Sequence, residues 1–190
     1  EKADALTARL APGFDADAGR DNAEIWWFDQ PTLPWNDGLE AIKRAIAGLD
    51  GFVPQTVSFD VFDTLIQRPF RQPTDLFSML EERWRRENRR CLLSFADART
   101  EAETSARVWA RGRKDDIDLY DIYNALRVTC GASEDCADAM RFAECEAEIA
   151  FARPRHTGIA LYRLAKAMGR RVVLISDMYL DSATISAMLN

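Results

Sequence analysis

Two short segments carry polar residues directly after apolar runs that are typical of buried strands. Residues 57–65 are VSFDVFDTL, and residues 172–180 are VVLISDMYL. In an open parallel sheet, ligands bind beyond the carboxyl ends of the strands, so Asp60, Ser176 and Asp177 are the first candidates for chemistry. A carboxylate in that place can act as a nucleophile or help to hold Mg²⁺. A serine hydroxyl can hold a phosphate oxygen.

The two aspartates of the first segment are not equivalent on a strand. Side chains alternate between the two faces, so residues 60 and 62 share a face while Asp63 points away. Asp63 can therefore act as a general acid or base beside Asp60 only if the chain turns sharply after Phe62. The alternative interpretation is that Asp63 bonds the local backbone or caps the following turn.

The elements that must position these residues follow an α/β plan. Near-continuous apolar runs predict parallel strands within residues 55–62 and 171–176, with a helix at 157–169 before the second strand. We expect a Rossmann-like parallel sheet core, incomplete in this chain, at residues 53–68 and 155–190. We expect residues 1–52 to form an N-terminal extension of loops plus one helix.

Residues 69–154 have an almost purely helical pattern with no strand candidate, and we expect them to form an inserted α-helical bundle cap. Caps are predicted for three of its four helices, at Thr74, Asp118 and Ser133. The fourth helix is predicted to bury a stripe of apolar residues, namely Cys136, Met140, Ala143, Ala147 and Phe151.

Composition argues against several functional classes. The chain has 190 residues, a formal net charge of −6, four cysteines and one histidine. No run of 18 apolar residues occurs, so we expect no membrane span, and the negative charge argues against a nucleic-acid partner. The cysteines form no CxxC pair, which argues against a zinc site and favours reduced thiols in a cytoplasmic protein.

The two strand-end segments also resemble a known family. FDVFDTL resembles the first motif of the haloacid dehalogenase (HAD) superfamily, VVLISDMYL resembles its second, and the helical insert lies where that superfamily places its cap. The resemblance covers about residues 53–190. Together with DLYDIYNAL at residues 118–126, the segments are similar to HAD domains beside or fused to bacterial glycosyltransferases for surface polysaccharides.

The resemblance implies an Mg²⁺-dependent hydrolase, and specifically a phosphatase that acts on a small phosphorylated metabolite such as a sugar phosphate. Asp60 would form an aspartyl-phosphate and would bind Mg²⁺ together with the backbone carbonyl of Phe62. Thr64 would support the loop and the site, and Ser176, next to Asp177, would bind the transferred phosphoryl group. The helical cap would close over the site and select the substrate.

The sequence departs from the family pattern at two points. Phe62 stands where the phosphatases have their acid/base aspartate, and members that cleave carbon–halogen bonds also have an aromatic residue there. The lysine and acidic motifs that follow the second motif do not occur before Asn190. We therefore expect a longer protein or another chain, such as a glycosyltransferase domain, to complete the core, and we expect less than full activity from this chain alone.

Two alternatives to the phosphatase follow from these departures. A dehalogenase-like hydrolase would explain Phe62 and would need no Mg²⁺. A non-catalytic HAD module that regulates a glycosyltransferase would explain both departures.

Three further features have a functional and a structural interpretation. The arginines of RWRRENRR at residues 83–90, in particular Arg83, Arg86 and Arg90, would suit a phosphorylated substrate, but a solvated basic face is favoured. For His156, near the hinge of the cap, a surface position is favoured over substrate contact. Packing is favoured over a sugar platform for the tryptophans Trp26, Trp27 and Trp35.

Overall fold

The computed structural model describes residues 33–49, 51–87 and 94–190. Two compact units are present. The α/β unit contains residues 33–69 and 153–177, and the helical unit contains residues 70–152 and 178–190. The helices are α1 (Leu33–Ala47), α2 (Asp75–Arg86), α3 (Phe95–Ala110), α4 (Leu119–Cys130), α5 (Glu134–Phe151), α6 (His156–Ala167) and α7 (Ser182–Met188). The strands are β1 (Thr56–Asp60), β2 (Ile66–Gln67), β3 (Arg153–Pro154) and β4 (Arg171–Ile175).

The α/β unit is built on a parallel pair of strands, β1 and β4, in which Asp60 lies opposite Ile175. Helix α6 packs on β4, and α1 packs on α6. Phe59 of β1 is buried and contacts Tyr162 of α6, with ring centroids 6.2 Å apart. This arrangement confirms an α/β plan with a parallel sheet. The sheet has two strands in the described residues, so a Rossmann-like core stays a prediction.

A second, shorter ribbon joins the two ends of the helical segment. Strand β2 pairs antiparallel with β3, and Ile66 lies opposite Pro154. The expectation that residues 69–154 contain no strand is therefore wrong at Arg153 and Pro154. Two residues are too few to show the alternation that reveals a strand in a sequence.

The three predicted capping residues all occupy the N-cap position of their helices, and two of the three make a capping hydrogen bond through the side chain. Asp118 and Asp121 form a reciprocal capping box at the start of α4, with N···O distances of 2.9 and 3.0 Å. Ser133 accepts from the backbone N–H of Cys136 at 3.2 Å. Thr74 occupies the capping position of α2, but its side chain makes no capping hydrogen bond.

Residues 178–190 pack with the helical unit, although the sequence pattern placed them in the α/β core. Helix α7 packs on α5, and Leu180 and Met188 are buried. The backbone N–H of Leu119 donates to the carbonyl oxygen of Tyr179 at 2.9 Å. The apolar residues of this short segment find a larger buried surface on the helices than a two-stranded sheet can offer.

The centre of the helical unit contains a fully buried ion pair. Arg99 of α3 donates to both carboxylate oxygens of Glu144 of α5, at 2.8 and 2.9 Å, and both residues are 0% exposed. The Tyr123 hydroxyl donates to Glu144 at 2.7 Å. The Arg99 guanidinium also lies over the rings of Phe77 and Tyr179, at 4.6 and 4.9 Å. The pair thus joins its own helices, α3 and α5, to α2, α4 and the segment before α7.

The electrostatics of this pair favour the charged form of Arg99. Burial by itself would lower the pKa of Arg99, but the Glu144 carboxylate and its hydrogen bonds hold that pKa above its ordinary value. Burial and the same carboxylate raise the pKa of Tyr123, so its hydroxyl keeps its proton and donates. The predicted inner stripe of α5 did not include Glu144, which is buried, while Cys136 and Ala143 are only half-buried.

The described helices include none that is long and apolar enough to cross a membrane. The described cysteines Cys130, Cys136 and Cys145 form no disulfide, and Cys91 lies outside the described residues.

We predict that Arg99→Met lowers the free energy of unfolding by about 3–5 kcal/mol, because it leaves the Glu144 carboxylate buried without its counter-charge. Urea unfolding followed by circular dichroism measures this loss. Arg107→Met on the same helix is the matched control, because the Arg107–Glu103 pair is 2.9 Å long but its arginine is half exposed. The control should lose less than about 1 kcal/mol. Equal losses in the two variants would contradict a special role for the buried pair.

Candidate functional site

The carboxyl edge of the parallel sheet brings three predicted site residues to one place. Asp60 is the last residue of β1 and lies opposite Ile175, so Ser176 and Asp177 leave β4 at the edge where Asp60 ends β1. Asp60 and Asp177 are exposed, and Ser176 is half-buried. The register thus confirms that these residues follow the ends of paired strands at one edge of the sheet, and their sharing of a ligand stays a prediction.

The chain turns sharply after β1, in a loop that we call the strand-end loop (residues 61–66). The backbone N–H groups of Leu65 and Ile66 both donate to the carbonyl oxygen of Val61, at 2.9 and 3.0 Å. Asp63 has a φ of +54°, in the left-handed region that non-glycine residues other than Asn and Asp seldom adopt. The turn that a catalytic role for Asp63 requires is therefore present, and the Asp63 side chain is exposed.

Thr64 is the residue of this loop that contacts the Asp60 side chain. Its hydroxyl Oγ1 donates to Asp60 Oδ2 at 3.1 Å. The bond occupies one carboxylate oxygen, Oδ2, and restricts the rotation of the carboxylate. This contact agrees with the supporting role that the family resemblance implies for Thr64.

Residues at the start of α6 hold the strand-end loop in place. The backbone N–H of Arg155 donates to the Leu65 carbonyl oxygen at 2.8 Å, and its guanidinium Nη1 donates to the Asp63 carbonyl oxygen. Gly158 is buried directly against the intervening carbonyl of Thr64, where a Cβ atom would overlap the oxygen. Arg155 and Gly158 thus contact three consecutive carbonyl groups of the loop, those of residues 63–65.

Sequence reasoning missed both Arg155 and Gly158. A glycine near the start of a predicted helix was the available signal, because such a glycine often marks a close backbone approach. Nothing in the local sequence links Arg155 to a loop that lies about ninety positions earlier.

Phe62 occupies the loop position at which phosphatases of the HAD superfamily, which the sequence resembles, have an acid/base residue. The side chain is half-buried, and the Arg68 guanidinium carbon lies 5.2 Å from its ring centroid. An aromatic ring cannot transfer a proton, so Asp63 is the carboxylate nearest in sequence that could do so at this site.

The residues of the sheet edge fit an Mg²⁺ ion in part. Among the described residues, no group of three or more His, Cys, Asp or Glu side chains could hold a metal ion. Magnesium is commonly held by one or two carboxylates, with water and phosphate oxygens as the other ligands. Asp60 and the backbone carbonyl of Phe62, which the family resemblance implies as ligands, would supply part of such a set.

The arginines of α2 are paired along their own helix. Arg83 contacts Glu87 at 2.9 Å, and Arg86 contacts Glu82 at 3.0 Å. The exposed Arg86 fits the interpretation of a solvated basic face, whereas the Arg83 side chain is only 18% exposed. Arg90 lies outside the described residues.

His156 and the tryptophans have the following positions. His156 is exposed at the first position of α6, which fits a surface residue. Trp26 and Trp27 lie outside the described residues, and Trp35 lies in α1 with a side chain that is also outside the description.

We predict that Gly158→Ala destabilises the α/β unit by about 1–3 kcal/mol, because the new methyl group overlaps the Thr64 carbonyl and forces the backbone to shift. Thermal unfolding measures the effect. Gly38→Ala is the matched control, since Gly38 lies in α1 with nothing within 4 Å of the added Cβ. The control should be neutral or more stable by up to about 1 kcal/mol. A Gly158→Ala protein as stable as the control would contradict the close approach.

Comparison with known proteins gives no relative: no protein-family model matches this chain, and no curated protein matches it. The function of the chain is therefore inferred from its own residues and their geometry.

Proposed function

We propose that the chain carries the nucleophile-bearing site of a HAD-type phosphatase that acts on a small phosphorylated metabolite. The observation that carries the proposal is the exposed Asp60 at the carboxyl end of β1, with the Thr64 hydroxyl 3.1 Å from one of its oxygens. Ser176 follows the paired strand at the same edge and adds a hydroxyl for a phosphoryl oxygen. A sugar phosphate is the substrate class that the family resemblance favours.

The proposed reaction has two steps. Asp60 Oδ1 attacks the phosphorus atom, the bond from phosphorus to the substrate oxygen breaks, and an aspartyl-phosphate forms. A water molecule then attacks the same phosphorus atom and releases inorganic phosphate, which regenerates the Asp60 carboxylate. Mg²⁺ held by Asp60 and the Phe62 carbonyl would offset the negative charge that gathers near the nucleophile.

The remaining residues supply orientation and protons. Thr64 keeps the Asp60 carboxylate in one orientation throughout, because its hydrogen bond uses the oxygen that does not react. Asp63 donates a proton to the leaving oxygen in the first step and removes a proton from water in the second. The Ser176 hydroxyl donates to an oxygen of the transferred phosphoryl group.

A second candidate is a HAD module that regulates a glycosyltransferase without catalysing hydrolysis. Phe62 favours it, because the usual acid/base position holds a ring that packs with Arg68. The two candidates differ in one measurable property, which is the release of phosphate in the presence of Mg²⁺.

We predict that the complete protein, with the segment or chain that completes the core, releases phosphate from a generic aryl phosphate with Mg²⁺. Asp60→Asn should abolish this activity, because the amide cannot attack phosphorus. Colorimetric detection of the released phenol measures the rate. Asp115→Asn removes one exposed carboxylate elsewhere and should leave the rate unchanged. Wild-type turnover in Asp60→Asn would show that the nucleophile is wrongly assigned, and an inactive wild type would favour the regulatory module.

Asp63→Asn tests the acid/base role separately. Asparagine tolerates a positive φ nearly as well as aspartate, so the turn is retained while the proton donor is lost. We expect turnover to fall by about 10²-fold or more in the same assay if Asp63 transfers the protons. A loss of less than about threefold would make Asp63 a structural residue of the turn.

A further inference from the structure

We propose that Arg155 is a positioning residue for catalysis, which acts on the reaction through the strand-end loop and Thr64 without touching the substrate. The inference rests on the proposed function of Asp60. It follows from two hydrogen bonds that Arg155 makes to loop carbonyl groups, one through its side chain and one through its backbone.

The strand-end loop needs outside support. Its own hydrogen bonds both end on the carbonyl oxygen of Val61, while the carbonyl groups of residues 63, 64 and 65 point to the segment that begins α6. The left-handed conformation of Asp63 is less favourable than the ordinary backbone regions. Such a conformation persists where its surroundings hold it. The guanidinium of Arg155 bonds the carbonyl group of this strained residue.

Thr64 connects the supported loop to the Asp60 carboxylate, which is the reacting group. Thr64 lies between the two carbonyl groups that Arg155 holds, and its hydroxyl donates to Asp60. If the loop relaxes, the backbone of Thr64 rotates, and the bond to the Asp60 carboxylate is lost or lengthened. A small displacement of a group that orients a nucleophile is expected to lower the rate of reaction strongly.

The side-chain and backbone hydrogen bonds of Arg155 can be tested separately. The bond from its backbone N–H to Leu65 is retained in any non-proline variant, so a side-chain substitution removes the guanidinium bond to Asp63 and leaves the backbone bond in place. Arg155→Met keeps most of the aliphatic stem and removes every side-chain donor. Arg163→Met is the matched control, because Arg163 lies exposed on the same helix and the substitution removes the same charge.

The first experiment measures amide hydrogen exchange in the protein. A hydrogen bond from a charged donor is stronger than one between neutral groups, so its loss should speed exchange at Leu65 and Ile66 by about tenfold or more in Arg155→Met. Exchange of the β1 amides in Arg155→Met, and of Leu65 and Ile66 in the Arg163→Met control, should stay at the wild-type rate. Unchanged exchange at both loop amides in Arg155→Met would overturn the proposal, whatever the activity of the protein.

The second experiment is a double-mutant cycle on phosphate release. Arg155→Met should lower kcat by about tenfold with KM unchanged, and combining it with Thr64→Val should cause no loss beyond that of the slower single variant, because both changes remove the same orientation. Effects that multiply would show that Arg155 and Thr64 act independently, and a raised KM with kcat unchanged would show that Arg155 contributes to substrate binding; either result would overturn the proposal. A wild type without phosphatase activity would contradict the proposed function, while the exchange experiment would still show whether Arg155 holds the loop.

Discussion

The parallel pairing of β1 with β4 governs the path of the whole chain. Parallel strands cannot be joined by a tight turn and need a crossover of about a dozen residues or more. Here the crossover contains all the residues between Asp60 and Arg171, including four helices of the helical unit. The register also sets the site, because a slip by one residue would turn Asp60 to the opposite face of the sheet.

The return of the chain to the α/β unit organises the loop that leaves it. Strand β3 pairs with β2, and the next residues, Arg155 and Gly158, meet the carbonyl groups of the strand-end loop. A loop with a left-handed aspartate and few bonds of its own is thereby held in one conformation. The candidate nucleophile, Asp60, thus depends on residues that follow the helical segment in the sequence. These residues hold the strand-end loop, and Thr64 of this loop bonds the Asp60 carboxylate.

The sequence predicted the local elements well and the charged interior of the helical unit poorly. Apolar periodicity located α2 to α5, and the side chains of Asp118 and Ser133 cap helices as expected. Arg99 and Glu144 escaped prediction because a charged residue on a helix is ordinarily solvent-exposed. Their burial is tolerable only because the two charges pair with each other, and the two residues lie 45 positions apart in the sequence on different helices.

The sequence alone determined the types of the elements, the strand-end place of Asp60 and the capping residues, because periodicity and capping depend on neighbours within about four positions. It missed the small β2–β3 ribbon, and it placed residues 178–190 in the α/β core, whereas they pack with the helices. Only the tertiary structure decided that Thr64 would bond Asp60 and that Arg155 would support the loop. Side chains far apart in sequence meet only when packing of the whole unit brings their elements together, and no local pattern records that packing.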